Sequence, residues 1–215
     1  MIEQKYKMII LGPPASGKGT QAEFLAKKLN LPTISAGQLL REEVDKDSEI
    51  GREIKDYMEK GELVPNRFTN ELVKARLEKD DCSDGFISDG FPRIRIQAKF
   101  LDTFVDLTQA IVIRVSDEEV ERRLAGRRIC SKCGKVYHLE FNPPLKENAC
   151  ECGGKLELRE DDTPQAIHQR LKIYHEETEE VADYYQEKGI LIEINGEQSI
   201  EKVKKEVFNK LKIKS

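Results

Sequence analysis

The residues best suited to chemistry lie together near the start of the chain, in Gly12-Pro13-Pro14-Ala15-Ser16-Gly17-Lys18-Gly19-Thr20. This segment follows an apolar run of strand length, Tyr6–Leu11, and opens a helix-like stretch over Gly19–Leu29. A glycine-rich turn between a strand and a helix gathers backbone N–H groups into one concavity, and the helix N-terminus adds partial positive charge. Such a loop suits a polyphosphate. Lys18 would reach the outer phosphates and Thr20 would assist with Mg²⁺. The strict nucleotide-loop pattern places Ser or Thr directly after the lysine; here Gly19 intervenes. A bound nucleoside triphosphate is the expectation, against an ordinary turn of small residues. A second candidate is Asp89, which ends the apolar run Gly85-Phe86-Ile87-Ser88. A carboxylate there suits a hydrated Mg²⁺, although Asp-Gly dipeptides also commonly begin turns.

The cysteines form the second constellation. Cys130-x₂-Cys133 is followed, after sixteen residues, by Cys150-x-Cys152. Four thiolates so spaced suit tetrahedral Zn²⁺, and the metal would hold together a segment with little apolar surface of its own. The one-residue spacer tightens the second half of the cluster, so His138 is kept as a substitute ligand. Cys82 stands apart and is expected to be a small, partly buried residue.

Strand and helix signals alternate around these sites. A short extended piece covers Pro32–Ser35, and amphipathic stretches cover Gln38–Lys46, Ser48–Lys60 and Thr69–Lys79. Gly85–Ser88, Ala110–Val115 and Ile190–Ile194 are apolar runs of strand length, and Asp117–Leu124 has a helical pattern. Ile167, Leu171, Tyr174, Val181 and Tyr185 recur at helical spacing after Pro164, and Ile200, Val203, Val207 and Leu211 line a closing helix. Five strands separated by helices imply a parallel sheet covered on both faces, with its ligand beyond the carboxyl ends of the strands. The loop and Asp89 both fall there. At 215 residues the chain has the size of one domain with room for insertions. Charged residues make up 35% of it, but the net charge is only −4, which argues against a duplex-binding protein. The apolar runs are far shorter than a membrane span, and the first follows Glu3 and is already committed to the loop, so no secretory leader is expected. Five cysteines, four of them in close pairs, fit a reducing compartment, with the cytoplasm as the default.

Asp89 continues as Gly90-Phe91-Pro92-Arg93. With this segment and the glycine-rich loop together, the chain resembles the nucleoside monophosphate kinases, in particular adenylate kinase of the long-lid type. Further along come Ile34-Ser35-Ala36-Gly37-Gln38-Leu39-Leu40-Arg41, Gly61-Glu62-Leu63-Val64-Pro65 and Gly126-Arg127-Arg128. Val136-Tyr137-His138, Phe141-Asn142-Pro143-Pro144, Arg159 with Asp161-Asp162, and Arg170 complete a resemblance over essentially the whole chain. It implies an α/β fold, a P-loop NTPase core with a five-stranded parallel sheet and helices on both faces. Residues 1–34, 65–126 and 164–215 would form the core, 35–64 a small helical AMP-binding insertion, and 127–163 a mobile lid with the zinc site.

The implied activity is reversible phosphoryl transfer from MgATP to AMP, giving two ADP and serving adenine nucleotide homeostasis. Mg²⁺ would accompany ATP, Zn²⁺ would be structural, and the chain would act as a monomer with no nucleic acid or membrane partner. Phosphoryl transfer needs alignment and charge neutralisation more than covalent help, and guanidinium groups supply both. By resemblance Lys18, Asp89, Arg93, Arg127, Arg159 and Arg170 are catalytic. ATP would lie against Ala15, Ser16, Gly17, Lys18, Gly19, Thr20, Arg123, Arg127, Val136, Tyr137 and the backbone of Gln198. AMP would lie against Ser35, Ala36, Arg41, Glu62, Leu63, Val64, Gly90, Phe91, Pro92, Arg93, Gln97, Arg159 and Arg170, with Gln97 facing the base. Cys130, Cys133, Cys150 and Cys152 would hold the zinc. Clustered arginines would repel one another and favour an open lid until nucleotides bind. Two departures stand out. The family usually has Thr at Ala36 and Asp at Gln38; pyrimidine monophosphate kinases commonly have Ala at the first, and Gln38 removes a charge that would help hold hydrated Mg²⁺. A UMP/CMP-type kinase is therefore one alternative, and a zinc-ribbon nucleic-acid-binding ATPase is the alternative from another class.

Overall fold

A computed structural model describes residues 5–146 and 148–213; Glu3 lies outside them. Strand β1 (Tyr6–Leu11) leads through the glycine-rich loop into α1 (Lys18–Leu29), and β2 (Thr33–Ser35) runs directly into α2 (Ala36–Val44). Helices α3 (Glu49–Lys60) and α4 (Asn66–Leu77) precede β3 (Gly85–Asp89). Then come α5 (Arg95–Leu101), β4 (Gln109–Arg114) and α6 (Asp117–Gly126). Three short strands follow: β5 (Arg127–Cys130), β6 (Val136–His138) and β7 (Leu156–Glu157). The chain closes with α7 (Pro164–Ile173), a π-helical turn over Tyr174–Thr178, α8 (Glu179–Glu187), β8 (Leu191–Asn195) and α9 (Ile200–Lys210).

The five-stranded sheet is wholly parallel, in the order β2-β3-β1-β4-β8. Alternate side chains of each strand enter opposite layers of core. Ile9, Leu11 and Val112 pack with Ile34, Phe91, Leu101 and Tyr185 on one face. Met8, Ile10, Ile111 and Ile113 pack with Leu25 of α1 and Val203, Val207 and Phe208 of α9 on the other. Register then decides where the chemistry sits. Asp89 is level with Ile10 on one neighbour and with Ser35 on the other. The carboxyl ends of β2, β3 and β1 therefore open onto one crevice.

Three features differ from the pattern expected of the sequence. The segment after Pro164 is two helices joined by the π-helical turn, because helical spacing persists through a turn that widens by one residue. Residues 127–157 hold a separate antiparallel sheet, in the order β6-β5-β7, whose strands are too short to show alternation. Helix α5 also went unanticipated; it begins two residues after Arg93 and is only 7 residues long.

Helix α3 ends where Gly61 turns left-handed at φ 73°, with its N–H bonded to Met58 and that of Glu62 to Tyr57. A Cβ at Gly61 would also stand 2.5 Å from the carbonyl oxygen of Ala166 in α7. Gly61→Ala is thus expected to lower the unfolding free energy by about 2 kcal/mol or more, measured by chemical denaturation. A change within a few tenths of a kcal/mol would contradict the close approach of α3 and α7.

Candidate active site

The loop after β1 is shaped by backbone contact. Gly12 has φ 145°, and a Cβ there would meet the carbonyl oxygen of Ile113 at 2.6 Å. Gly17 caps α1 without a side-chain bond, and the first N–H groups of the helix, which have no intrahelical partner, point along its axis out of the N-terminus. Ala15 takes a left-handed φ of 52°, and Ser16 Oγ is buried with no hydrogen-bond partner among the described residues. Gly19 and Thr20 fall in the first turn, both half-buried. Lys18 bends back over the loop, its Nζ donating to the Pro13 carbonyl at 2.8 Å.

Asp89 lies beside this loop: a Cβ at Gly19 would be 3.4 Å from its Oδ2. Its Oδ1 is buried and has no partner among the described residues. An orphaned carboxylate oxygen next to a phosphate-type loop fits a hydrated divalent cation.

Around these two groups the chain gathers guanidinium groups. Burial pushes Lys18 down to about 8, the fields of Arg93, Arg127 and Arg170 push the same way, and Asp89 opposes them. Two aspartates clip three arginines. Arg127 Nε donates to Asp162 at 2.7 Å, Arg159 Nε to Asp161 at 2.8 Å, and Arg170 Nη1 to Asp162 at 3.1 Å, with further bonds from Arg159 and Arg170 to Asp161. Burial works against the Asp161 carboxylate, yet Arg159 and Arg170 hold it well below its usual range. The repulsion expected among the arginines is therefore offset from within the same segment. That segment is folded down: a Cβ at Gly134 would be 3.6 Å from Gln38 Oε1 on α2.

Arg41 and Arg93 make no ion pair with a carboxylate among the described residues. Arg41 Nη2 donates to Gln38 Oε1 at 3.4 Å, while its Nε is buried without a partner among the described residues. Burial and the field of Arg159 lower Arg41 to about 10. Arg93 Nε donates to the Gly90 carbonyl at 3.0 Å, and burial followed by the field of Arg170 lowers it too. Two guanidinium groups so placed are suited to an anion with several oxygens.

The remaining expected contacts divide. Ser35 caps α2 through Gln38 N, Ala36 is buried behind it, and Phe91 and Val64 are core residues. Gln38 donates to Glu42 at 3.2 Å, so its amide is held along α2. Pro92 is buried, Leu63 is half-buried and Glu62 is exposed. Gln97 is buried and joins the Arg93 main chain to Asn66. Arg123 ties three elements together, donating to Glu119 at 2.7 Å, the Ser16 carbonyl at 3.3 Å and the Gly196 carbonyl at 2.7 Å. The Gln198 side chain turns to Asn195 and Glu206, leaving only its backbone free to face a ligand. Val136 is exposed, and Tyr137 points into the cysteine cluster. The bridging roles of Asp161, Asp162 and Asn66 escaped the sequence analysis. Two adjacent aspartates between Arg159 and Arg170 were the available signal for the first two.

The four cysteine sulfurs lie within 4.8 Å of one another. Cys130 and Cys152 Sγ are 3.4 Å apart and Cys133 and Cys150 Sγ 3.6 Å, near the roughly 3.8 Å edge of a tetrahedron with 2.3 Å Zn–S bonds. All four are free thiols, so the cluster is not a pair of disulfides. Tyr137 Oη, 3.3 Å from Cys150 Sγ, adds a polar contact to the set. The donor set and spacing fit zinc. His138 is not needed: its Nδ1 accepts the N–H groups of Glu140 and Phe141, each at 3.1 Å, and its ring stacks on Phe141. The short Cys150–Cys152 spacer therefore does not exclude either thiol.

Comparison with known proteins bears on this geometry directly. The family model described as adenylate kinase matches residues 10–190, a span that includes the loop, Asp89, all the clustered arginines and the four cysteines. The chain belongs to the adenylate kinase family. An adenylate kinase of Caldicellulosiruptor bescii is 44% identical over 213 residues, covering 96% of this chain and 99% of that protein. One of Methanocella arvoryzae is 47% identical over 207 residues (94% and 96%), and one of Archaeoglobus fulgidus 46% over 206 residues (93% and 95%). Membership favours the nucleoside monophosphate kinase fold and chemistry over the nucleic-acid-binding ATPase. No helix among the described residues is long and apolar enough to cross a membrane.

The depressed Lys18 gives a pH-dependent test of this adenylate kinase family site. Its ordinary value is 10.5 and its folded value about 8, so protonated Lys18 costs stability below about pH 8. That cost fades as pH rises through 8 towards 10.5. Lys18→Met is expected to be more stable than the parent by about 1–2 kcal/mol at pH 7, after discounting for solvent screening. The advantage should shrink across that alkaline window in paired thermal melts; a constant difference would contradict it.

Proposed function

We propose that this chain is an ATP:AMP phosphotransferase, transferring the γ-phosphoryl group of MgATP reversibly to AMP to give two ADP. The observation that carries the reading is the convergence of Lys18, Asp89 and five arginines on the carboxyl ends of the sheet, with Arg41 and Arg93 in no carboxylate ion pair among the described residues. The glycine-rich loop and Lys18 cradle the donor phosphates, and Arg123 with the Gln198 backbone lies along the donor base. Arg41 and Arg93 take the acceptor phosphate, and Ser35, Ala36, Glu62–Val64 and Gln97 surround the acceptor nucleoside. Arg127, Arg159 and Arg170 lie between the two phosphate chains and neutralise charge on the transferring group.

Asp89 and Thr20 would hold the Mg²⁺ that accompanies ATP, which would supply further neutralisation and alignment. The division into a core (1–34, 65–126, 164–215), an acceptor insertion (35–64) and a lid (127–163) follows from these roles, because the lid brings Arg127 and Arg159 down to the core and excludes water. Cys130, Cys133, Cys150 and Cys152 would hold a Zn²⁺ that keeps the lid in shape. One chain supplies every group named, which supports action as a monomer, and the free thiols support a cytoplasmic setting.

Acceptor profiling with MgATP tests the function. AMP is expected to be preferred over CMP, UMP and GMP, and comparable kcat/KM for CMP would instead favour a pyrimidine nucleotide kinase. Lys18→Ala should lower kcat by about 100-fold or more with a smaller effect on substrate binding, because charge on the transferring group grows in the transition state. Normal turnover in that variant would remove the loop from the mechanism.

Metal analysis tests the zinc site separately. Protein purified under reducing conditions should contain about one zinc per chain, as a single four-thiolate site requires. Chelation should lower the first melting transition while leaving most helical signal intact, since the parallel sheet has its own core. Metal-free protein with an unchanged melt would refute the site.

A further inference from the structure

Gln97 is buried on α5, and both ends of its amide are engaged. The backbone N–H of Arg93 donates to Gln97 Oε1 at 2.8 Å, and Gln97 Nε2 donates to Asn66 Oδ1 at 2.9 Å. The polarity of this chain of bonds is not arbitrary. A backbone N–H can only donate, so it must meet the oxygen of Gln97. Nε2 is then at the other end, and Asn66 must present its own oxygen. Asn66 stands in the first turn of α4, directly after Pro65, and α4 packs on α5, so the acceptor comes from a rigid neighbouring element.

After these two bonds Gln97 retains one N–H and one oxygen lone pair. Side by side they form a donor–acceptor pair complementary to the adenine edge, where N1 accepts and the N6 amino group donates. Hypoxanthine presents the reverse, an N1–H donor and an O6 acceptor. An amide turned by 180° would suit hypoxanthine and reject adenine.

We propose that Asn66 is a positioning residue that sets the choice of acceptor base by holding the Gln97 amide in its adenine-reading orientation. The inference rests on the reading of Gln97 as the residue facing the acceptor base. Without the Asn66 oxygen, one buried N–H of Gln97 loses its partner, and only the Arg93 N–H still resists turning of the amide. Because that N–H belongs to an arginine of the phosphate site, the same bonds also join base choice to phosphate placement.

The test is steady-state kinetics with MgATP and either AMP or IMP as acceptor, on Asn66→Leu, Asn66→Asp and Gln97→Ala, with thermal melts to establish folding. Asn66→Leu is expected to raise KM for AMP about ten-fold and lower the AMP-to-IMP ratio of kcat/KM about ten-fold, with KM for ATP unchanged. Asn66→Asp keeps an acceptor at the same place and should restore the ratio. A purely structural role would lower the melting temperature and leave the ratio alone. An unchanged ratio in folded Asn66→Leu, with a reduced ratio in Gln97→Ala, would overturn the inference while leaving base reading by Gln97 intact. An unchanged ratio in Gln97→Ala would overturn base reading and this inference with it.

Discussion

Like charge confined at the carboxyl end of the sheet is the constraint on which the rest of the molecule depends. Lys18, Arg41, Arg93 and Arg127 are all pushed towards their neutral forms, by burial first and then by neighbouring guanidinium groups, Arg159 and Arg170 among them. Charges brought together away from water repel much more strongly than on an open surface. Asp161 and Asp162 offset part of this by clipping Arg127, Arg159 and Arg170. Arg41 and Arg93 feel the field of Asp161 but have no ion pair with a carboxylate among the described residues. A ligand rich in phosphate oxygens relieves the repulsion, so affinity and the cost of building the site have the same physical origin.

The scaffold answers that constraint at two scales. Within the parallel sheet, register brings Ile10, Asp89 and Ser35 level, so the phosphate-type loop, the carboxylate and the start of α2 open onto the same crevice. Beyond the sheet, the clip joins the two ends of the 127–163 segment: Arg127 ends α6 and begins β5, whereas Asp161 and Asp162 precede α7, which carries Arg170. Among the described residues, the hydrophobic cluster of the segment is small: Cys130, Tyr137 and Cys150 with Leu156 against them. So little apolar surface cannot fix a fold, and at its centre stand four gathered thiols of a spacing that could hold a metal ion.

Arg123 and Gln97 extend the same logic to positioning. Arg123 reaches the main chain of the loop and of Gly196, so α6 is referenced to two strand ends at once. Gln97 takes its orientation from the Arg93 backbone N–H at one end of its amide and from Asn66 at the other. In both cases a side chain borrows its precision from main-chain groups that secondary structure has already fixed.

The sequence by itself determined the class of fold and the chemistry at its strand ends. Tyr6–Leu11 before Gly12–Thr20, and Gly85–Ser88 before Asp89, are local patterns, and local patterns suffice because a strand, its turn and the next helix are neighbours in the chain. The cysteine spacing was legible for the same reason. Short strands such as Leu156–Glu157 were not, since two residues have no period and exist only through pairing with β5. Nor could spacing decide that His138 stays with Phe141 while four thiols meet, or that Asp161 and Asp162 neutralise three arginines drawn from separate elements. Those outcomes depend on distances between residues far apart in sequence, and only the folded chain, balancing burial against charge, sets them.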